Sequence, residues 1–321
     1  MNGRTANMRA TILVVIASVA ALSACARKPQ DFETPEAAAQ ALIEAAKADG
    51  NDAVLKVLGK DAKPIVDSGD EVADKNARAS FLESYQAANS LDKTIPDSII
   101  LEVGADKWPF PVPIVSTGGK WHFDTPTGVD ELINRRVGAN ELATIQSCLA
   151  FADAQREYYM SNPPQDPLLH YASKLVSTEG KKDGLYWPTN ENEPQSPLGE
   201  GFARARAEGY LQEGEPRKGA PYHGYVYRVL TGQTAAAAGG AYDYLVNDQL
   251  LGGFALIAFP AEYGNSGVMS FIVNHDGAVY SQDLGPETTK RAMAIEKFDP
   301  VAPWKREETT EIQVTGTATV N

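Results

Sequence analysis

Apolar and polar positions divide the chain into a leading apolar run, a helical stretch, a strand-rich stretch, a second helical stretch and a strand-rich final third. Arg4 and Arg9 precede the run Thr11 to Ala21, which is too short to span a bilayer as a mature helix. Residues 1–24 therefore read as an export signal, and residues 25–31 as a short polar tether. Thr34-Pro35 supplies an N-cap followed by proline at the first helical position, so a helix begins there. Ala38, Leu42, Ala45 and Ala46 recur at helical spacing until Asp49-Gly50-Asn51-Asp52 breaks the pattern. A second helical stretch carries Val54, Leu55 and Leu58, and a third over Asp74 to Asn89 sets Ala77, Phe81 and Tyr85 on one stripe. Beyond Pro96 the apolar runs shorten to Ser98–Val103, Trp108–Val115 and Lys120–Phe123, which read as strands joined by Gly104-Ala105-Asp106 and Ser116-Thr117-Gly118-Gly119. Residues 32–128 are thus expected to form an α+β domain, N-terminal helices first and a small antiparallel sheet after them.

A second α+β domain is expected over residues 129–305. Glu131 to Arg136 reads as a short helix, and Gly138-Ala139-Asn140 leads into a longer one. Its stripe of Leu142, Ile145, Leu149 and Ala152 runs to about Tyr159 and stops at Ser161-Asn162-Pro163-Pro164. A further helix is predicted over Leu168 to Val176, carrying Tyr171 and Leu175, and a short one over Gly201 to Gly209. The last third alternates as strands: Tyr222–Leu230, Gly253–Phe259, Val268–Val273 and Ala278–Tyr280. Thr231 to Gly240 reads as a low-complexity linker, and Asn274-His275-Asp276-Gly277 places Asp-Gly in a tight hairpin. Residues 306–321 are polar and Thr-rich, the composition of a flexible tail.

Charge and cysteine usage narrow the function classes. The 321 residues hold 29 basic and 42 acidic side chains, a net charge of −13. Residues 1–24 contain two arginines and no acid, so signal removal takes the charge from −13 to −15. Nucleic-acid binding, which needs a basic surface to displace phosphate counterions, is not expected. With two cysteines, Cys25 and Cys148, a disulfide framework and a cysteine-rich metal centre are excluded. Leu22-Ser23-Ala24-Cys25 resembles the bacterial lipobox, in which the cysteine is acylated and becomes the first residue. The alternative is an ordinary secretory signal with an incidental cysteine. The resemblance implies lipidation at Cys25 and, with two or more acyl chains, stable anchoring to a membrane. Ala26 follows in place of the aspartate associated with inner-membrane retention, which implies the periplasmic face of the outer membrane. No later stretch has the apolar length of a transmembrane helix, so the lipid is the expected anchor.

Catalytic and metal signals are sparse. Gly264-Asn265-Ser266-Gly267 resembles the nucleophile motif of trypsin-like and heat-shock serine proteases, but Val268 stands where those proteins have glycine. The upstream His122 sits in Trp121-His122-Phe123-Asp124 rather than Ala-Ala-His-Cys, so the string reads as turn chemistry. His122, His170, His223 and His275 lie far apart with no i, i+4 pair, a pattern that does not assemble a zinc site. Cys148 flanks an apolar helical stripe and reads as a buried inert thiol. The aromatic strings supply a candidate binding surface, Trp108, Phe110, Trp121, Tyr186, Trp187, Tyr222, His223 and Tyr225, with core packing as the competing reading. Ser68-Gly69-Asp70 between helices is either a turn or a cap-like polar contact.

Several of these strings together resemble a family of exported bacterial proteins known as domain of unknown function 2950. They are Ser68-Gly69-Asp70, Trp108 to Pro111, Trp121 to Asp124, Arg135 to Leu142, Asp183 to Trp187, Ser196 to Gly199, His223-Gly224-Tyr225 and Gly252 to Leu256. The resemblance runs from about Phe32 to Trp304 and implies a compartment and a fold, but no activity. The N-terminal half is similar in pattern to nuclear-transport-factor-2-like (NTF2-like) modules. Residues 140–285, with Gln155 to Tyr158 and the Asp-Gly hairpin, are similar to the periplasmic part of type II secretion pseudopilins. Because some pseudopilins bind calcium in C-terminal loops, that resemblance makes Asp243, Asn247, Asp248, Asp276 and Asp283 candidate oxygen ligands, against the plainer reading that they solvate loops. No other cofactor is expected. The functional expectation is a membrane-anchored periplasmic lipoprotein serving as a non-catalytic binding or envelope-assembly accessory, with an envelope protein as partner. The alternative is a hydrolase acting on an envelope polymer through paired carboxylates.

Overall fold

The structure, a computed structural model, describes residues 28–308 apart from 49, 162–167, 191–192, 209, 211–219 and 248. Residues 1–27, which include the expected export signal and Cys25, the calcium candidate Asp248 and residues 309–321 of the expected tail lie outside the described residues. The fold class is α+β, as the patterning implies.

The first half opens with helices α1 (Pro35–Lys47), α2 (Asp52–Leu58), α3 (Lys63–Val66) and α4 (Glu71–Ala87). Thr34 Oγ1 accepts from Ala37 N at 3.1 Å, so the N-cap read from Thr34-Pro35 is formed. Strands β1 (Asn89–Ile95), β2 (Ser98–Val103), β3 (Trp108–Pro109), β4 (Ile114–Thr117) and β5 (Lys120–Phe123) make an antiparallel sheet in the order β1-β2-β4-β5, with β3 on β2. Two details differ from expectation. Asn89–Ile95 is a strand, and Trp108–Val115 is interrupted because Pro109, Pro111 and Pro113 remove ladder donors. The core of this half packs Leu42, Leu58, Leu101, Ile114 and Phe123, with Phe110 set between Phe81 and Phe123 at 5.4 and 6.3 Å.

A single helix, α5 (Thr125–Ser161), replaces the two helices predicted on either side of Gly138 and runs through residues 128 and 129, where the division into halves was placed. An exposed helical glycine costs about 1 kcal/mol relative to alanine. That cost is offset here because Arg136, Asn140 and Glu141, on both sides of Gly138, bond to neighbouring segments. The first part of α5 packs against α3, and the later part lies over the second sheet.

The second half contains β6 (Lys174–Val176), β7 (Gly184–Tyr186), α6 (Gly199–Ala207), β8 (Tyr225–Leu230), β9 (Gly232–Gln233), β10 (Tyr242–Asp243), β11 (Leu245–Val246) and β12 (Gln249–Leu250). It closes with β13 (Ala255–Pro260), β14 (Met269–Asn274), β15 (Val279–Asp283), α7 (Thr288–Ala294), β16 (Lys297–Phe298) and β17 (Lys305–Arg306). Its main sheet is antiparallel in the order β17-β15-β14-β13-β8, with the Asp276-Gly277 turn joining β14 to β15 as expected. Every residue of β13 is buried, which accounts for its unbroken apolar run. Phe151, Phe254, Leu256, Phe271 and Val279 belong to the core of this half, a cluster separate from the first.

Two expectations fail here. No helix forms over Leu168–Val176, because long-range partners take its backbone groups. Tyr171 N donates to Leu250 O at 2.9 Å, and the Gln155 side chain accepts from Ala172 N and donates to Ala172 O, each at 2.8 Å. Nor is Thr231–Gly240 a plain linker, since Gln233 sits buried in β9, between β10 and β16.

Gly128 is the tightest passage of α5 over the first half. A Cβ there would stand 2.6 Å from Val112 Cα and closer still to the Pro111 carbonyl. Gly128→Ala is therefore expected to lower stability by about 1–3 kcal/mol, although alanine is the better helix former. A shift of the urea midpoint at unchanged slope would report it.

Candidate functional site

Where the two halves meet, side chains from five segments interlock. Asp70 caps α4, its Oδ1 accepting from Ala73 N at 3.0 Å. Its Oδ2 accepts from the Tyr210 hydroxyl at 2.9 Å and from Gly224 N at 2.8 Å. The carboxylate is 1% exposed and carries three donors. Tyr210 Oη in turn accepts from His223 N at 3.2 Å. His223 and Gly224 form a two-residue turn with φ of 49° and 74°, closed by mutual backbone bonds between Tyr222 and Tyr225. Positive φ at both positions is the geometry that matches strand twist in a tight hairpin, and it is costly at His223. Asp70 and Tyr210 thus bind both N–H groups of the strained turn. Gly224 is required for a second reason, because a Cβ would stand 2.5 Å from Asn140 Nδ2.

Beside this clamp, Arg136 of α5 donates to Pro64 O at 2.7 Å, to Ile65 O at 2.8 Å and to Asn265 Oδ1 at 2.6 Å. Asn265 Nδ2 donates to Asp67 O at 2.8 Å and to Glu262 Oε2 at 3.0 Å. Burial pulls the Arg136 guanidinium down from its ordinary value, and Asp74, Glu262 and Asp67 act against that pull. Burial likewise raises the Asp74 carboxyl, opposed by the Ser68 bonds and by Arg136. Asn140 Nδ2 donates to Ser266 O at 2.9 Å, and Glu141 Oε1 accepts from Val268 N and Met269 N at 3.0 and 2.9 Å. Ser266 Oγ is bonded to Glu262 N and O within its own loop, while His122 lies on β5 of the first sheet with Asp31 at 3.7 Å. The Gly264-Asn265-Ser266-Gly267 string is a loop closure.

The strings Ser68-Gly69-Asp70, Arg135 to Leu142 and His223-Gly224-Tyr225 therefore meet in one network. A model of the family described as protein of unknown function (DUF2950) matches residues 29–307. The chain belongs to the DUF2950 family. No curated protein and no solved structure matches it. In this DUF2950 chain the junction joins three of the motif strings through hydrogen bonds made by Asp70, Arg136, Asn140 and Glu141. Asp70, Asp74 and Glu141 each accept from backbone N–H groups, and Asp70 also caps α4.

The candidate aromatic residues fall in three places rather than on one surface. Trp108 is partly exposed with the Arg135 guanidinium 5.2 Å above its ring, Phe110 is buried in the first core, and Trp121 exchanges backbone bonds with Phe32. Tyr186 stacks on Phe202 at 4.1 Å, and Trp187 packs edge-on to Tyr158 under Lys182. Tyr222 flanks the clamped His223-Gly224 turn with its ring against that of His223, and Tyr225 is fully buried with its hydroxyl on Met269 O at 2.8 Å. Tyr210 and Glu208 carried no sequence signal. Glu208 Oε2 faces His223 Nε2 at 3.3 Å. Among the described calcium candidates, Asp243 pairs with Lys297 at 2.7 Å and Asp283 accepts from Gly285 N at 2.7 Å. No group of three metal-ligating side chains gathers among the described residues.

Two measurements check this account. Asp70→Ala removes the cap and strands two buried donors, an expected loss of about 3 kcal/mol, and Tyr210→Phe about 1–2 kcal/mol. Because both act on one turn, the double variant should cost less than the sum in urea denaturation. Cys148 is fully buried and its thiol is pushed up to about 12, so a Cys25→Ala chain should give no Ellman reaction at pH 8 until it unfolds.

Proposed function

We propose that the protein is a non-catalytic binding or envelope-assembly accessory, a lipoprotein held at Cys25 on the periplasmic face of the outer membrane. The observation that carries the non-catalytic part is the fate of the junction carboxylates. Asp70, Asp74 and Glu141 each accept from backbone N–H groups, so they serve as caps and clamps rather than as a facing acid–base pair. The anchored part rests on Leu22-Ser23-Ala24-Cys25 following a charged and then apolar leader. No helix among the described residues is long and apolar enough to cross a membrane. The pseudopilin-like reading of the C-terminal half rests on one long helix laid over an antiparallel sheet.

Metabolic labelling with an alkynyl fatty acid, followed by membrane fractionation, tests the anchor. The wild-type chain should carry label in the outer-membrane fraction, and Cys25→Ala should lose both label and membrane association. An unlabelled wild-type chain would replace the anchored reading with a freely diffusing exported protein.

A further inference from the structure

Past the expected signal, the chain docks onto the first half almost at once. A Cβ at Gly59 would stand 3.0 Å from Pro29 Cδ, and Gln30 N donates to Val57 O at 3.2 Å. Two residues on, Phe32 N donates to Trp121 O at 2.7 Å, and Trp121 N returns a bond to Phe32 O at 2.8 Å. Of the expected tether 25–31, only residues 25–28 therefore precede the first of these contacts. Four residues reach about 14 Å at full extension. Whatever way the rest of the molecule turns, an anchor at Cys25 keeps the contact between Pro29 and Gly59 within about that distance of the bilayer.

Unpaired cations bracket that contact. Lys28 precedes Pro29, Lys56 precedes Val57, Lys60 follows Gly59, and Lys63 opens α3. All four are exposed, and none makes an ion pair among the described residues. The two strings that meet here, 27–30 and 53–63, hold five cations, Arg27 included, and the single acid Asp61. The next acids outward are Asp31, which faces the His122 ring at 3.7 Å, Asp52 at the opposite end of α2, and Asp124 and Asp130 about the start of α5. Glu33 pairs with Lys120, and Asp67 lies near Arg136. Residues 25–321 carry −15 and the two strings +4, so the remainder carries −19. The cations are thus gathered where the chain would leave its anchor, on a molecule that is otherwise acidic.

We propose that this face, Lys28 with the lysines of α2, of the Lys60–Ala62 turn and of α3, lies on the anionic phospholipid headgroups of the leaflet that holds the anchor. The proposal deepens the accessory reading above and rests on it for acylation at Cys25, which sets the reach. Headgroup phosphate oxygens accept from the ammonium groups that the chain leaves unpaired, and the acidic remainder is repelled. The charge asymmetry therefore fixes which side of the molecule faces the bilayer, a task that a lipid on a tether does not perform by itself.

Lysine footprinting of the full chain purified from membranes tests it. The protein is added to preformed phosphatidylethanolamine–phosphatidylglycerol vesicles, to phosphatidylcholine vesicles or to nonionic micelles, and acetylated with a membrane-impermeant succinimidyl ester. In the anionic vesicles Lys28, Lys56, Lys60 and Lys63 should react about fivefold more slowly than in micelles, while the exposed Lys181 and Lys290 of the second half keep their rates. That protection should fade in phosphatidylcholine and when salt is raised. The triple variant Lys56→Glu, Lys60→Glu, Lys63→Glu should lose the protection of Lys28 with the anchor still in place. All three positions are exposed, and far-ultraviolet circular dichroism verifies that the variant folds. Equal rates in anionic vesicles and micelles would overturn the proposal, as would protection that survives in phosphatidylcholine or at high salt. An acylated chain whose lysines stay reactive keeps the anchor and loses the headgroup face. An unacylated chain that still floats with the anionic vesicles and shows the same protection loses the anchor alone, and one that does neither loses both.

Discussion

The buried carboxylate of Asp70 is the constraint on which the two-part architecture depends. A helix N-terminus presents N–H groups that need an acceptor, and a left-handed hairpin turn presents two more. One aspartate serves both, with Tyr210 as its extension, and so ties the start of α4 to the start of β8 across 154 positions of sequence. An ionised carboxylate is expensive to bury unless its lone pairs are filled, and here three donors fill them. The turn at His223-Gly224 persists in a costly conformation because those donors have nowhere better to go.

Around that point the molecule uses polar side chains where two apolar cores cannot merge. The first core closes on Phe123 and the second on Phe151 and Phe254, and α5 belongs to both. Its middle turn carries Arg136, Asn140 and Glu141, each of which satisfies backbone groups of a loop that would otherwise be orphaned at the junction. Arg136 suits its place because a planar guanidinium can reach the carbonyls of Pro64 and Ile65 and the Asn265 amide together, with nearby carboxylates offsetting its burial. The surplus of acidic residues is thus partly structural, and the rest gives the surface its sign.

α5 also spans both halves of the described chain. Phe32, near the start of the described chain, exchanges backbone bonds with Trp121 just before the helix begins, and the later part of the helix lies over the second sheet. A helix carrying bonds on both sides of Gly138 makes a continuous spacer, so the division of the chain into two cores need not make them independent.

Much of the architecture was legible from local pattern. The N-cap at Thr34, the strands Ser98–Val103 and Lys120–Phe123, the buried run of β13 and the Asp276-Gly277 hairpin follow from capping, alternation and turn chemistry, which act over a few residues. Family membership was legible too, because it resides in short strings. Tertiary structure alone decided the rest. Leu168–Val176 has helical spacing, yet Gln155 and Leu250 claim its backbone groups; Gly138 reads as a break, yet bonds on both sides carry the helix through it. The junction was visible only as scattered polar strings, and Tyr210 not at all, since a hydroxyl that bridges Asp70 to His223 leaves no mark on its sequence neighbours. Local propensity is written along the chain, whereas a buried hydrogen bond between distant residues exists only once the chain has brought them together.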